Sequence, residues 1–308
     1  MKQMKKVLVT GGRGFLGHHI VNALKREGVE VVVYDEEGSE WAAHPSRYPK
    51  WEEKGVLNYY GDVLDTYGLG LAMAGCDTVF HNAAIADIEE AASDPSRTME
   101  VNVLGTSRVL ETAAKCGVKR VVYASSVYTM GKRGSFYRIS KQAGEALCKS
   151  FDDEYDLPYT IVKYGSLYGH EANHWNFIYR VCKELLEKGE YCYQSAPDAI
   201  REFIHVSDAA RETVRIADDP EFVNASVLIT GHTKMRMSEF FDMITEIIGG
   251  GKVTYEEPEK RRHYVYTPYS FDPDVPVRIN MPTYIDVTEG ILDCLKRVHE
   301  ELSHENRD

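Results

Sequence analysis

The chain has 308 residues, 43% of them hydrophobic and 27% charged, and 48 acidic against 36 basic side chains give a formal net charge of −12. That length is enough for one large domain, or a domain with a smaller lobe, whose core needs no disulfide or metal. The acidic balance excludes general attraction to nucleic acid or an anionic membrane, so a phosphate-bearing ligand has to be held by a few placed cations and backbone amides. Six cysteines, at 76, 116, 148, 182, 192 and 294, lie far apart with no CxxC spacing. They read as reduced, mostly buried thiols of a cytoplasmic protein, with no disulfide or metal framework expected. The start, MKQMKKVLV, lacks the long apolar core and cleavage site of a signal peptide, and no later apolar run reaches the length of a bilayer span.

The first informative stretch is KVLVTGGRGFLGH, Lys6 to His18, a short apolar strand running into glycines at 11, 12, 14 and 17. A strand, a tight turn and then the free amides of a helix N-terminus make a seat for a pyrophosphate. Gly11 suits the turn, Gly14 lets phosphate approach the backbone, and Gly17 lets the helix pack closely. Phe15, Leu16, Ile20, Val21 and Leu24 recur at helical spacing up to Glu27, and Gly28 stops that helix. A buried strand from Val29 to Tyr34 follows and ends at Asp35, about twenty residues past the glycines. There a carboxylate accepts from both ribose hydroxyls and repels a 2′-phosphate, favouring NAD over NADP; the bland alternative is an acid that merely begins the turn Asp35-Glu36-Glu37.

Glu40 to Lys54 is polar and aromatic, with no clear element. Val56 to Tyr60 reads as a third strand, followed by Asp62 and Val63, which either hydrogen-bond an adenine edge or form a solvated turn. Thr78 to His81 is a fourth strand, leading into the small residues Asn82, Ala83 and Ala84, where a ligand needs close approach. Helical periodicity covers Thr98 to Cys116 and contains Asn102, a residue type that is more often a satisfied core amide than a catalyst. The fifth strand, Arg120 to Ala124, ends in Ser125-Ser126. In the helix that follows, Tyr137 and Lys141 stand at i and i+4, on one face. An ammonium there stabilises phenolate and lowers the phenol's pKa, as a proton-transferring tyrosine requires.

Tyr159 to Tyr164 supplies a sixth strand, so the first half reads as a doubly wound parallel sheet. Later, Asn173 to Lys188 and Ser207 to Asp218 read as helices and Ser226 to Ile229 as a strand. A helix from Ser238 to Ile248 opens with a Ser238 cap, Val253 to Tyr255 is a strand, and a closing helix runs from about Asp286 to Glu301.

Taken together, TGGRGFLG, GDV, HNAA, Asn102, YASSVYTMG, YRISK and REFIHVSDAA make the chain resemble the extended short-chain dehydrogenase/reductase family, in its nucleotide-sugar epimerase/dehydratase branch and close to UDP-glucose 4-epimerase-like proteins. The resemblance implies a Rossmann-type α/β fold with a smaller, mostly C-terminal α/β substrate lobe. Residues 1–165 and 202–230 would hold NAD, and 166–201 and 231–308 the substrate. It implies Tyr137 as general acid and base, Lys141 holding the nicotinamide ribose, and Ser126 bonded to the reacting oxygen, with Ser125 as runner-up. The cofactor set it implies is Gly11, Gly14, Phe15, Leu16, Gly17, Asp35, Asp62, Val63, Asn82, Ala83, Ala84, Asn102, Ser125, Lys141 and Tyr164. On the substrate side it implies Ala86, Ser126, Ser166, Arg201 and Arg262, although Arg262 equally fits a solvated charge cluster, Lys260 to His263. It further implies a homodimer formed through the helices at 98–116 and 137–154.

Ser126 is followed by Val127 and Tyr128, so the acids that dehydratases and decarboxylases of this branch carry beside the active serine or threonine are absent, as is the cysteine of the C3/C5 epimerases. Oxidation and return at one carbon remain, and a 4-epimerase of a nucleoside-diphosphate sugar leads. Two features depart from the branch. Tyr137 follows Ser126 by only 11 positions, and Lys163, Ser166 and His170 stand where arginine, asparagine and proline are usual. These leave open a net dehydrogenase or reductase of a sugar, uronate, sterol or other alcohol. A non-enzymatic dinucleotide sensor is the third reading, which intact Ser126, Tyr137 and Lys141 argue against.

Overall fold

The structure, a computed structural model, describes residues 4–36, 55–170, 172, 176–270, 291, 292 and 295. Apart from 291, 292 and 295, these lie in the first of two compact units, Met1–Phe271. The strands in chain order are β1 Lys6–Thr10, β2 Glu30–Asp35, β3 Val56–Tyr60, β4 Thr78–His81, β5 Arg120–Ser126, β6 Tyr159–Tyr164, β7 Ser166–Tyr168, β8 Glu190–Tyr193, β9 Ile200–His205, β10 Ala225–Ile229, β11 Lys234–Arg236 and β12 Lys252–Tyr255. The α-helices are α1 Phe15–Arg26, α2 Thr66–Met73, α3 Ile88–Ser93, α4 Pro95–Met99, α5 Thr106–Lys115, α6 Ser135–Tyr155, α7 Phe177–Lys188, α8 Val206–Ala217 and α9 Met237–Ile248.

Seven strands make one sheet in the order β10-β6-β5-β4-β1-β2-β3, every pairing parallel. Parallel strands need crossovers that cover both faces, which is why β1, β2 and β4 read as nearly unbroken apolar runs. On one face α1 and α8 bury Ile20, Leu24, Ala209 and Val214 against Val7, Val9 and Val33. On the other, Leu69, Leu110 and Ala113 from α2 and α5, with Cys148 of α6, pack on Leu8, Val32, Val79 and Ile161. The strand order reverses between β1 and β4, and the crevice outside the carboxyl ends at such a reversal is where an α/β sheet takes its ligand. Around it stand Gly11, Asp35, Asn82 and Ser126.

The remaining strands form two small sheets, β11-β9-β7 and β12-β8. Their own core joins Val181 and Leu185 of α7 to Tyr191, Tyr193, Phe240, Phe241 and Ile244. The fold is therefore a doubly wound Rossmann-type α/β sheet with smaller mixed sheets toward the C-terminal end.

Four expectations change. The helical run at 98–116 is three pieces: α4, a π-helical turn Glu100–Gly105, and α5. Asn102 sits in the wide turn, and its side chain bonds to the neighbouring loop at Ile85. Ser238 is not a cap: Arg236 is the N-cap of α9, because Glu239 reaches back to the Arg236 amide at 3.0 Å. Strand β5 runs on through Ser125 and Ser126. REFIHV, a resemblance motif with no element expected for it, forms β9, paired parallel to β7 and antiparallel to β11. Residues 37–54 and nearly all of 286–301 lie outside the described residues. Among those described, no helix is long and apolar enough to cross a membrane.

Candidate active site

At the sheet's reversal point Gly11 has φ +64°, and a Cβ there would come within 2.6 Å of the Ala83 amide nitrogen, so both turn and close approach demand glycine. A Cβ on Gly17 would fall 2.0 Å from the Gly11 carbonyl oxygen, so α1 seats on the loop itself. Gly14 is the N-cap of α1, with no side-chain cap bond and no acid in the first turn. The helix dipole and amides of that turn, at Phe15 and Leu16, thus face a place suited to an anion. Asp35 closes the cradle: Oδ2 accepts from the Arg13 amide at 2.8 Å and Oδ1 from the Glu36 amide at 2.9 Å. Burial raises its pKa while those two amides hold the ionised form. One lone pair on each oxygen stays available to a diol.

Other expected cofactor residues are tied into the frame. Asp62 pairs with Arg97 at 3.1 Å and caps the Leu64 amide at 2.9 Å, while Val63 is buried under α2. Thr10 Oγ1 meets His81 Nδ1 at 2.7 Å and His81 Nε2 meets Thr106 at 2.9 Å, which fixes the end of β4 before Asn82, Ala83 and Ala84. Asn102 holds both backbone groups of Ile85 and donates to Ser140 Oγ at 2.9 Å, tying the loop that ends in exposed Ala86 to α6. The Tyr164 hydroxyl turns into the core to meet Thr213 Oγ1 at 2.7 Å.

The expected proton-transfer group comes together. Ser126, at the end of β5, hydrogen-bonds the Tyr137 hydroxyl, and its Oγ also accepts from the Tyr128 amide at 3.3 Å. One turn along α6, buried Lys141 donates from Nζ to the Ala124 carbonyl at 2.8 Å and lies 6.0 Å from the Tyr137 ring centroid. The electrostatics correct the sequence argument. Burial pushes the Tyr137 phenol up to about 12, with the Ser126 bond acting the other way, and burial brings Lys141 down to about 8. Taking phenolate and ammonium away from water outweighs their attraction across this gap.

Ser125 points elsewhere. Its Oγ donates to Glu145, which also pairs with Lys163, whose Nζ donates to Thr129 Oγ1 at 2.7 Å. Both charged side chains are 14% exposed. This bridge locks β5, β6 and α6 together behind the reacting groups and leaves Ser126 alone to face them.

Arg201, on β9, is 8% exposed. Its guanidinium lies 4.5 Å from the Tyr264 ring centroid, Nη1 donates to the Ile200 carbonyl at 2.8 Å and Nη2 reaches the Tyr193 hydroxyl at 3.5 Å. Among the described residues no carboxylate pairs with it. A buried guanidinium without a counter-ion is costly, and a bound anion relieves that cost. Ser166 hydrogen-bonds Tyr264 and so supports the same ring. Arg262 is not part of this group: its guanidinium pairs with Glu89 at the start of α3.

The model of the NAD dependent epimerase/dehydratase family matches residues 7–229. The chain belongs to that family. A putative UDP-glucose 4-epimerase of Methanocaldococcus jannaschii is 26% identical, over 98% of this chain and 99% of its own. A Thermus thermophilus UDP-glucose 4-epimerase solved with NAD superposes with a TM-score of 0.71 at 26% identity, covering 85% of this chain and 90% of that one. The human 3 beta-hydroxysteroid dehydrogenase type 7 is 37% identical, but over only 42% of this chain and 36% of its own.

Three participants escaped the sequence reading. Tyr128 lies with its ring 6.5 Å from that of Tyr137 and 5.2 Å from that of Tyr264, and its hydroxyl meets His263 Nδ1 at 2.7 Å. His263 had been visible only as the last member of a charge cluster. Glu145 is four residues beyond Lys141 on α6, the one signal that could have found it.

Proposed function

We propose that the protein is an NAD-dependent epimerase of a nucleoside-diphosphate sugar, acting at C4 through a transient keto-sugar. The observation that carries this reading is the buried guanidinium of Arg201, which has no carboxylate partner among the described residues and shares an aromatic cluster with the acid-base group Ser126-Tyr137. An anion clamp beside a proton relay suits a substrate whose reacting alcohol is joined to a phosphate. The residues present fit NAD: the glycine cradle and uncapped α1 would receive the pyrophosphate, Asp35 the adenosine ribose and Lys141 the nicotinamide ribose. When bound, NAD supplies the acceptor and then the donor of a hydride.

To act as base Tyr137 has to be ionised against the burial that raises it, which the positive charge of bound NAD together with Lys141 would favour; it would then take the proton of the sugar hydroxyl as that carbon is oxidised, with Ser126 holding the same oxygen. Lys141 would hold the nicotinamide ribose, and its charge would favour the ionised phenol. Arg201, with Ser166 supporting Tyr264, holds the diphosphate while the keto-sugar turns, and Tyr137 returns the proton when the other face is reduced. Phe136 and Ile139 on α6 and Leu104 beside α5 are exposed apolar residues at 37%, 44% and 46%, which supports a homodimer paired through these helices.

Incubation with UDP-, GDP-, CDP- and dTDP-sugars, followed by NMR, tests the reading. One epimer pair interconverted with no net NADH is expected, and conversion of none overturns it. The short connection after Ser126 and the partial likeness to a hydroxysteroid dehydrogenase favour a second reading, net oxidation of an alcohol. Free NADH accumulating in proportion to substrate would select it.

A further inference from the structure

The end of β5 is held at three consecutive residues. The Ala124 carbonyl accepts from Lys141 Nζ at 2.8 Å, the Ser125 hydroxyl donates to Glu145, and the Ser126 carbonyl accepts from Thr129 Oγ1 at 2.8 Å. Thr129 is itself held at both ends: its hydroxyl accepts from Lys163 Nζ at 2.7 Å and its carbonyl from Gln142 Nε2 at 2.9 Å. Lys163 stands opposite Ser125 on the neighbouring strand β6 and pairs with Glu145, which closes the circuit. Lys141, Gln142 and Glu145 all come from α6, the helix that carries Tyr137. The local unit that brings Ser126 to Tyr137 is thereby braced from β6, and the Ser126 hydroxyl is left to the phenol.

The same circuit sets a negative charge beside Lys141. Glu145 follows Lys141 at i+4, on the same helical face. The other titratable groups around that ammonium are neutral near neutral pH. Burial brings His81 of β4 down to about 3, pushes the Cys148 thiol of α6 up to about 12, and raises the phenols of Tyr137 and of Tyr123 on β5, whose ring centroid lies 5.1 Å from Lys141 Nζ. Burial also works against the Lys141 charge, and with the thiol neutral it is Glu145 that favours it. The remaining charge of the circuit, Lys163 of β6, has its own counter-ion in the same carboxylate. A buried ammonium keeps its proton only where such a carboxylate offsets the lost hydration.

Resting on the epimerase reading of this site, we propose that Glu145 and Lys163 are positioning residues for the proton relay: with Thr129 they clamp the strand end that carries Ser126, and Glu145 is the counter-charge that keeps buried Lys141 an ammonium. Three variants of the full chain separate the two roles. Thr129→Val removes the hydroxyl link and no charge, so kcat for the nucleotide sugar that the panel above selects should fall roughly tenfold, with UDP and NAD affinities little changed. Glu145→Gln keeps an acceptor for Ser125 and Lys163 and removes the charge alone. The Lys141 titration midpoint, read by nitrogen NMR of lysine-labelled protein and assigned from Lys141→Met, should then fall by about one pH unit, and the alkaline limb of kcat should move with it. In Glu145→Gln/Lys163→Met the unpaired second ammonium is gone as well, and the midpoint should return part of the way. A purely structural bridge would lower stability and leave the midpoint where it is. An unmoved Lys141 midpoint in Glu145→Gln, a midpoint no higher in the double variant than in the single one, or an unchanged kcat in Thr129→Val overturns the proposal. If the wild type converts no nucleotide sugar, the epimerase reading has failed, and the Lys141 midpoint, which needs no turnover, still decides this one.

Discussion

The proposed proton-relay end of the site and its proposed anion end are assembled in opposite ways. Ser126, Tyr137 and Lys141 come from one β-strand and the helix after it, so strand length and the 3.6-residue helical period alone bring them together. The surroundings of Arg201 come from four separated stretches, at Tyr128, Tyr193, Arg201 itself and Tyr264, and exist only once β9 and the 261–268 segment have closed. On the proposed reading, local geometry fixes the chemistry, and tertiary closure fixes what the chemistry acts on. Substitutions at the two ends should therefore fail differently.

Tyr137→Phe gives the largest effect. Losing the proton relay should lower kcat roughly 10²- to 10⁴-fold, with UDP affinity by calorimetry unchanged because Arg201 is untouched. A fall of less than tenfold would take Tyr137 out of the chemistry. Arg201→Met should do the converse, weakening UDP binding roughly 10- to 100-fold through loss of charged hydrogen bonds. NAD affinity should hold, since the glycine cradle is built from other elements. A UDP affinity within threefold of wild type would place the anion end elsewhere. Asp35→Asn sits between these in kind: NAD binding should weaken about tenfold and discrimination against NADP should narrow, as a neutral amide no longer repels a 2′-phosphate. Cofactor titrations followed by protein fluorescence read both quantities, and an unchanged NAD to NADP ratio would count against the role of Asp35.

The same contrast explains what could be read before the fold was known. The glycines, Asp35, Ser126, Tyr137 and Lys141 are legible because each depends on neighbours within one strand-turn-helix unit. The π-helical turn at 100–105 is not, since Asn102 is braced by Ile85 and Ser140 from other elements. Arg262 had the chemistry of a phosphate ligand, but only the packing of α3 put Glu89 beside it. The direction of the Tyr137 shift was misjudged for a related reason: adjacency on a helix face reveals the attraction to Lys141 and nothing of the burial that opposes it.

The remaining expected effect is read in stability, not in turnover or affinity, and concerns the seam between α1 and the start of α8. His18 and His19, in α1 just past the glycine cradle, continue through His170 after β7 to His205 at the N-cap of α8, with successive ring centroids 5.1, 4.9 and 5.6 Å apart. Burial, reinforced by neighbouring rings and for His19 by Arg26, lowers His18 to about 3 and His19 to about 4 from 6.5. The sign follows: between those values and 6.5 the unfolded chain binds the proton that the folded chain refuses, so stability is full above pH 6.5 and is lost as pH falls toward 4. Each excluded proton contributes a slope of about 1.4 kcal/mol per pH unit. Denaturant unfolding at steps from pH 7.5 to 4.5 should show this fall, and His18→Leu should flatten it by about one proton's worth. An unchanged slope in His18→Leu would mean that other groups titrate and that this histidine seam does not join the cofactor helix to the substrate-side strands by charge exclusion.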